Sequence, residues 1–177
     1  LMSKAPVGIS SCLLGQPVRY DGGHKCNRLI TSRLQAIFEF RPFCPEVAIG
    51  LGVPREPIQL VRTSGGMRVR GVSDAELDVT DKLEQYGRQI VTGHPEICGY
   101  IFKARSPSCG TDSVATWTEQ GEEDESDGSG AYAAALMQAI PGLPVIDEER
   151  LQDARERERF IEQVTRRYHK CLHKQTS

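Results

Sequence analysis

Six cysteines punctuate the chain, at positions 12, 26, 44, 98, 109 and 171, and no two have the C-x-x-C spacing of a zinc ribbon or a dithiol oxidoreductase. Any site they form must be assembled by the fold. Cys12 follows the run Val7-Gly8-Ile9-Ser10, and Cys44 follows Phe40-Arg41-Pro42-Phe43. Cys109 lies in Ser106-Pro107-Ser108-Cys109-Gly110, beyond Gly99-Tyr100-Ile101-Phe102-Lys103. Each run reads as a short strand, so these three thiols sit past strand carboxyl ends, the edge where open α/β sheets bind ligands. The other three have different settings: Cys26 just past the Gly22-Gly23 turn, Cys98 ahead of its strand, Cys171 on an apolar helical stripe. Three soft thiolates in one crevice suit a zinc ion, or a 4Fe-4S cluster with one iron lacking a protein ligand, and they favour iron–sulfur over a hard cation. The plainer reading is that a buried free cysteine is simply a small apolar side chain. On pattern alone both stay open.

The elements that must position these residues follow from periodicity. Ile30, Leu34, Ile37 and Phe38 predict one face of a helix, and Cys44-Pro45-Glu46-Val47-Ala48 reads as a helix start with proline at its first position. Gln59 to Val72 predicts a hairpin around Ser64-Gly65-Gly66, and Val79, Leu83, Tyr86 and Ile90 predict a second helix. Glu119 to Gly130 is acidic and rich in Gly and Ser, which predicts a mobile surface loop. Ala131 to Ile140 is helical by composition, and Leu143-Pro144-Val145-Ile146 is a last strand. Ile161, Val164, Tyr168 and Cys171 stripe a final charged helix in which Glu162 and Arg166 form an i,i+4 pair. Strands alternating with helices predict an α/β layered fold over 1–177, a single domain with a mostly parallel, Rossmann-like sheet and a small hairpin insertion.

Composition narrows the function classes. The 177 residues are 38% hydrophobic and 26% charged, which excludes a disordered chain, and no stretch approaches a membrane span. No signal-peptide core opens the sequence, so a cytoplasmic address is expected. A formal net charge of −2 argues against a broad nucleic-acid-binding face, though a small anionic ligand needs only a local cluster.

Three blocks carry a resemblance. Ile9-Ser10-Ser11-Cys12-Leu13-Leu14-Gly15 with Val18-Arg19-Tyr20-Asp21-Gly22-Gly23-His24-Lys25 resembles the opening of the thiouracil desulfidases, formerly a domain of unknown function. Phe43-Cys44-Pro45-Glu46 with Gly50-Leu51-Gly52-Val53-Pro54-Arg55-Glu56-Pro57 is similar to that family's second block, and Ser106-Pro107-Ser108-Cys109-Gly110 to its third. The likeness runs from Val7 to about Phe160. It implies a 4Fe-4S cluster held by Cys12, Cys44 and Cys109, and non-redox removal of sulfur from a thiolated uracil base, nucleoside or nucleotide. The iron without a protein ligand would take the substrate sulfur while water replaces it at carbon.

The same resemblance puts Glu46 forward as the group that moves the proton, where the residue alone would suggest only a favourable charge at a helix start. Ser106 and Ser108 are candidates to hydrogen-bond the cluster sulfur or the substrate; ordinary turn chemistry is their alternative. Arg19, Tyr20 and Asp21 are candidates to hold a uracil edge or a phosphate, with a solvated loop as the alternative. Arg55 and Glu56 read equally well as a structural ion pair and stay outside the expected site. Two other functions compete: a persulfide sulfurtransferase with Cys109 as carrier, and a metal- or nucleotide-binding module without catalysis.

Overall fold

A computed structural model describes residues 3–176. Strand β1 (Ala5–Ser10) is buried along its whole length, as a strand packed on both faces must be. Helix α1 (Arg28–Ser32) leads to β2 (Phe38–Phe43) and then to the short α2 (Pro45–Ala48). A hairpin of β3 (Ile58–Thr63) and β4 (Gly66–Gly71) precedes α3 (Thr80–Gly93) and β5 (Tyr100–Phe102). The chain ends with β6 (Val114–Thr118), β7 (Glu123–Gly128), α4 (Ala131–Ala139), β8 (Val145–Asp147) and α5 (Ala154–Gln175).

Among the described residues the strands form two four-stranded sheets, one ordered β2-β1-β5-β8 and the other β4-β3-β6-β7. Every pairing in the first is parallel. The chain leaves β1 through α1 to place β2 on one side, then returns to lay β5 on the other. That reversal opens a crevice at the carboxyl ends, the usual ligand site of such sheets. Pro42 is tolerated because β2 is an edge strand, where a missing N–H removes no interior ladder bond.

Alternation along β5 divides the interior in two. Tyr100 and Phe102 join the core that reaches across α3 and α4 to Leu60 and Val69 of the second sheet. Ile101 points the other way, into a core shared with Val7, Ile9, Ile30, Phe160 and Val164. The two helices approach closely at Gly87, where a Cβ would lie 2.7 Å from the Tyr132 carbonyl oxygen.

Two expectations are corrected. The stripe Ile30–Phe38 is not one helix: α1 stops at Ser32, a 3-10 turn carries Leu34, Ile37 is exposed, and Phe38 already belongs to β2. Strand pairing with Ala5 and an edge-to-face contact with Phe160 at 6.0 Å claim Phe38 over the helical alternative. The acidic stretch is only partly a loop: 119–122 turn, and 123–128 form β7. Thr116 and Val114 face inward on β6, while the acidic side chains of β7 face solvent or cations, Arg62 bonding Asp124 at 2.6 Å and Ser126 at 2.9 Å. Thus the predicted hairpin is half of a second sheet. The Glu162–Arg166 pair forms as expected, at 2.8 Å.

Asp78 ties the second sheet to α3. It accepts from Arg68 at 2.9 and 3.1 Å, from Arg70 at 3.3 Å, and from the Thr80 hydroxyl and amide at 2.7 and 3.1 Å. Burial alone would push its carboxyl up, but Arg68 and Thr80 outweigh burial and hold it well below the usual carboxylate range. A depressed folded value means this stability is present above the unfolded value of about 4 and is lost as pH falls towards the lower folded one. Asp78→Ala should therefore cost about 1.5–3 kcal/mol in urea unfolding at pH 7, and the gap to wild type should shrink as pH drops below about 4.

Candidate functional site

Cys12 sits in a 3-10 turn (Ser11–Leu14) directly after β1. Its carbonyl accepts from Gly15 at 3.2 Å and Lys25 at 2.9 Å, which closes the base of the loop bearing Arg19 and Tyr20. Cys44 follows β2 and precedes α2, whose proline occupies the first turn where no N–H is needed. Cys109 lies seven residues past β5 in a loop held by α4. The first amides of that helix, otherwise without partners, donate to loop carbonyls: Ala131 to Pro107 at 3.1 Å and Ala133 to Ser108 at 3.0 Å. Gly130 makes the contact possible, since a Cβ there would stand 2.4 Å from the Ser108 carbonyl carbon.

All three thiols line one cavity of about 230 Å³ at the carboxyl edge of the parallel sheet. Arg19, Tyr20, Glu46, Arg55, Lys103 and Ser106 share its wall. Burial pushes each thiol up, Cys109 furthest, and in every case a local group opposes it. Arg19 and Lys103 act on Cys12, the Val47 amide and Arg55 on Cys44, and the Ser10 hydroxyl on Cys109. Ser10 also accepts from the Lys103 amide at 2.9 Å, so one hydroxyl links β1, β5 and the Cys109 sulfur. Cys26 and Cys171 are exposed, and Cys98 is buried in the other core. The structure thus brings together the trio that sequence position singled out.

Glu46 lies against the cavity with both carboxylate oxygens engaged. Arg55 donates to Oε1 at 2.9 Å and the fully buried Ser108 hydroxyl to Oε2 at 2.8 Å. Ser106 Oγ accepts from the Ser108 and Cys109 amides at 3.2 and 3.1 Å. Two donors aimed at its oxygen leave the Ser106 proton free to be given to a ligand. Arg19 and Tyr20 form part of the wall, the Arg19 guanidinium carbon 5.8 Å from the Tyr20 ring centre. Asp21 is not on the wall; its carboxylate accepts from the Gly23 amide at 2.8 Å and shapes the turn. Ser108 stands behind Glu46 and not on the cavity surface.

Sequence reasoning passed over two cavity cations. Arg55 pairs with Glu46, not Glu56, whose carboxylate instead accepts from the Ser73 and Asp74 amides at 2.6 Å each. Lys103 is bonded to Glu148 at 2.7 Å and to the Ala104 carbonyl at 2.8 Å. Lys103 follows β5 directly, so the strand-end argument that found the cysteines would have found it too. Arg55 gave no such signal, because only the folded loop shows where it points.

Comparison with known proteins adds family context. The family model described as 2-thiouracil desulfurase matches residues 7–148. YbbK of Bacillus subtilis, an uncharacterized protein, is 32% identical over 154 residues, covering 82% of this chain and 97% of that protein. A solved structure of a 4Fe-4S-dependent thiouracil desulfidase, TudS, superposes with a TM-score of 0.61 at 33% identity, covering 84% of this chain and 94% of that one.

Thiol accessibility offers a check that needs no substrate. In metal-free protein a maleimide should label the exposed Cys26 and Cys171 first, then the half-buried Cys44, with Cys12, Cys98 and Cys109 slowest. Gly130→Ala should bring Cys109 forward in that order by displacing its loop. Unchanged Cys109 labelling in a folded Gly130→Ala protein would show that α4 does not hold the loop.

Proposed function

The chain belongs to the 2-thiouracil desulfurase family, and from that premise we propose that it hydrolyses a thiolated uracil to uracil and hydrogen sulfide using a 4Fe-4S cluster held by Cys12, Cys44 and Cys109. The observation that carries this reading is the convergence of three strand-end thiols on one cavity that also holds Glu46 and Ser106. The donor set fits the group. The cavity wall holds three cysteines and neither a fourth nor a histidine, so a four-iron cluster there would keep one iron without a protein ligand. Among the described residues no three His, Cys, Asp or Glu side chains meet where they would hold a single ion. Thiols spread around a cavity wall suit a multi-iron cluster better than a mononuclear zinc. When bound, such a cluster supplies a Lewis-acidic iron that takes up the substrate sulfur and makes it a better leaving group.

The protein's own residues account for the rest. Water attacks the thiolated carbon and must lose a proton; Glu46, on the cavity wall and fixed at both oxygens, takes it and returns it to the departing sulfur. Ser106 acts as a hydrogen-bond donor, since its oxygen already accepts two amides. Arg19 and Tyr20 receive the pyrimidine or an attached phosphate; Arg19 has no carboxylate partner among the described residues. The cavity is smaller than the roughly 300–1,000 Å³ typical of drug-sized pockets, which favours a free base, nucleoside or nucleotide over folded tRNA. Net charge of −2 and the acidic β7 edge likewise speak against a broad nucleic-acid face. No helix of the described residues is long and apolar enough to cross a membrane. The persulfide-carrier alternative suits the site less well, because Cys109 is buried where a carrier needs an accessible thiol.

Anaerobic reconstitution followed by a panel of thiolated pyrimidines tests the reading. Cys12→Ser, Cys44→Ser and Cys109→Ser should each lose the broad iron–sulfur absorbance, while Ser at 26, 98 or 171 should retain it. A fully loaded Cys44→Ser protein, or a colourless Cys26→Ser one, would refute the ligand assignment. Glu46→Gln should keep the cluster and lose about 10²–10⁴-fold in desulfuration rate, the range of general acid–base assistance. Ser106→Ala should also load normally and slow turnover, by about 10-fold or more if its donated hydrogen bond strengthens as charge develops.

A further inference from the structure

We infer that Arg55 is a positioning residue that sets both the orientation of Glu46 and the closure of the Arg19–Tyr20 loop over the cavity. This rests on the desulfidase reading for its kinetic consequences but not for its structural one. The Arg55 side chain is only 5% exposed, and a guanidinium that deep must have its charge and donors satisfied. Each of its three nitrogens is committed to a different segment. Nε donates to Glu46 Oε1 at 2.9 Å, Nη1 to the Gly52 carbonyl at 2.8 Å, and Nη2 to the Val18 carbonyl at 2.7 Å. Its backbone amide donates to the Tyr20 carbonyl at 2.8 Å. One residue therefore holds the far side of the substrate loop and the proton-transfer carboxylate together.

Apart from the Val18 side chain, which packs against the core beside β1, the loop has few other polar anchors there. Its base is closed by the Cys12 carbonyl, and its turn by bonds between Arg19, Gly22 and Gly23, all within its own span. Val18 additionally receives a long contact from the Cys44 thiol at 3.8 Å. Arg55 is the much closer donor to the Val18 carbonyl, at 2.7 Å against 3.8 Å. Lysine cannot replace it fully. A point charge can pair with Glu46 but lacks the planar fork that reaches Val18 and Gly52 at the same time.

Two separable effects follow. Arg55→Gln should lower kcat by about 10- to 100-fold through a mis-set Glu46, the usual scale for residues that orient functional groups, and should also raise KM by loosening the loop. Arg55→Lys should recover much of kcat while KM stays high. In the Glu46→Gln background the kcat loss from Arg55→Gln should vanish and the KM rise persist. Independent of activity, trypsin acting on metal-free protein should cleave after Arg19 several-fold faster in both variants, because cleavage tracks the open loop population. Should Arg55→Gln fail to fold, Arg55→Lys still carries the KM and proteolysis arms. Multiplicative kcat losses with Glu46→Gln, or unchanged KM and unchanged cleavage after Arg19, would overturn the inference. A wild-type protein that turns over no thiopyrimidine defeats the desulfidase reading instead, and the proteolysis arm still decides the clamp.

Discussion

Everything at the site depends on one topological constraint: β1 must be flanked by β2 on one side and β5 on the other, with all three strands parallel. Only then do the segments after the three strands converge, although Cys12 and Cys109 are nearly a hundred residues apart in the chain. The parallel arrangement is itself secured by burial on both faces. Alternate residues of β5 feed two separate apolar cores, so a one-residue slip of that strand would exchange their contents.

Within the cavity, desolvation and charge act against each other. Burial disfavours thiolates, and each of the three thiols is pushed towards its neutral form. The surrounding groups are placed to offset this: cations beside Cys12, an amide and a cation beside Cys44, a hydroxyl beside Cys109. A metal site must displace those protons on loading, and local donors that favour the thiolate lower the cost of doing so. Arg55 and Lys103 are in turn each tied to a carboxylate, Glu46 and Glu148, so little uncompensated charge is buried.

The second sheet serves the site indirectly. It packs Ile58, Leu60 and Val69 against the core that also contains Tyr100, Tyr132 and Cys109. The Tyr100 and Tyr132 hydroxyls meet at 2.7 Å, which satisfies two polar groups in an otherwise apolar interior and joins β5 to α4 beneath the Cys109 loop. Its exposed edge, β7, is acidic. Charge on an unpaired edge discourages pairing with another chain, which gives those residues a structural use apart from any ligand.

Local pattern alone carried the strands β1, β2 and β5, the β3–β4 hairpin, the proline-started α2, and the placement of three cysteines past strand ends, because alternation, turn residues and helix starts are written in neighbouring positions. It did not carry the split of Ile30–Phe38 into helix, turn and strand, since Phe38 obeys its pairing with β1 and its contact with α5, both distant in sequence. Nor did it show that an acidic stretch is a strand: composition argues for solvent exposure, and only pairing with β6 and cations from β3 and β4 make that exposure compatible with order. At the site, position past strand ends singled out the three thiols, and only the family resemblance put Glu46 and Ser106 forward. Tertiary structure alone decided that Asp21 turns back into its own loop, that Ser108 supports Glu46 from behind, and that Arg55 answers Glu46 in place of Glu56. Side-chain direction in irregular loops is set by whichever partner the fold brings within hydrogen-bond reach, and no local periodicity encodes it.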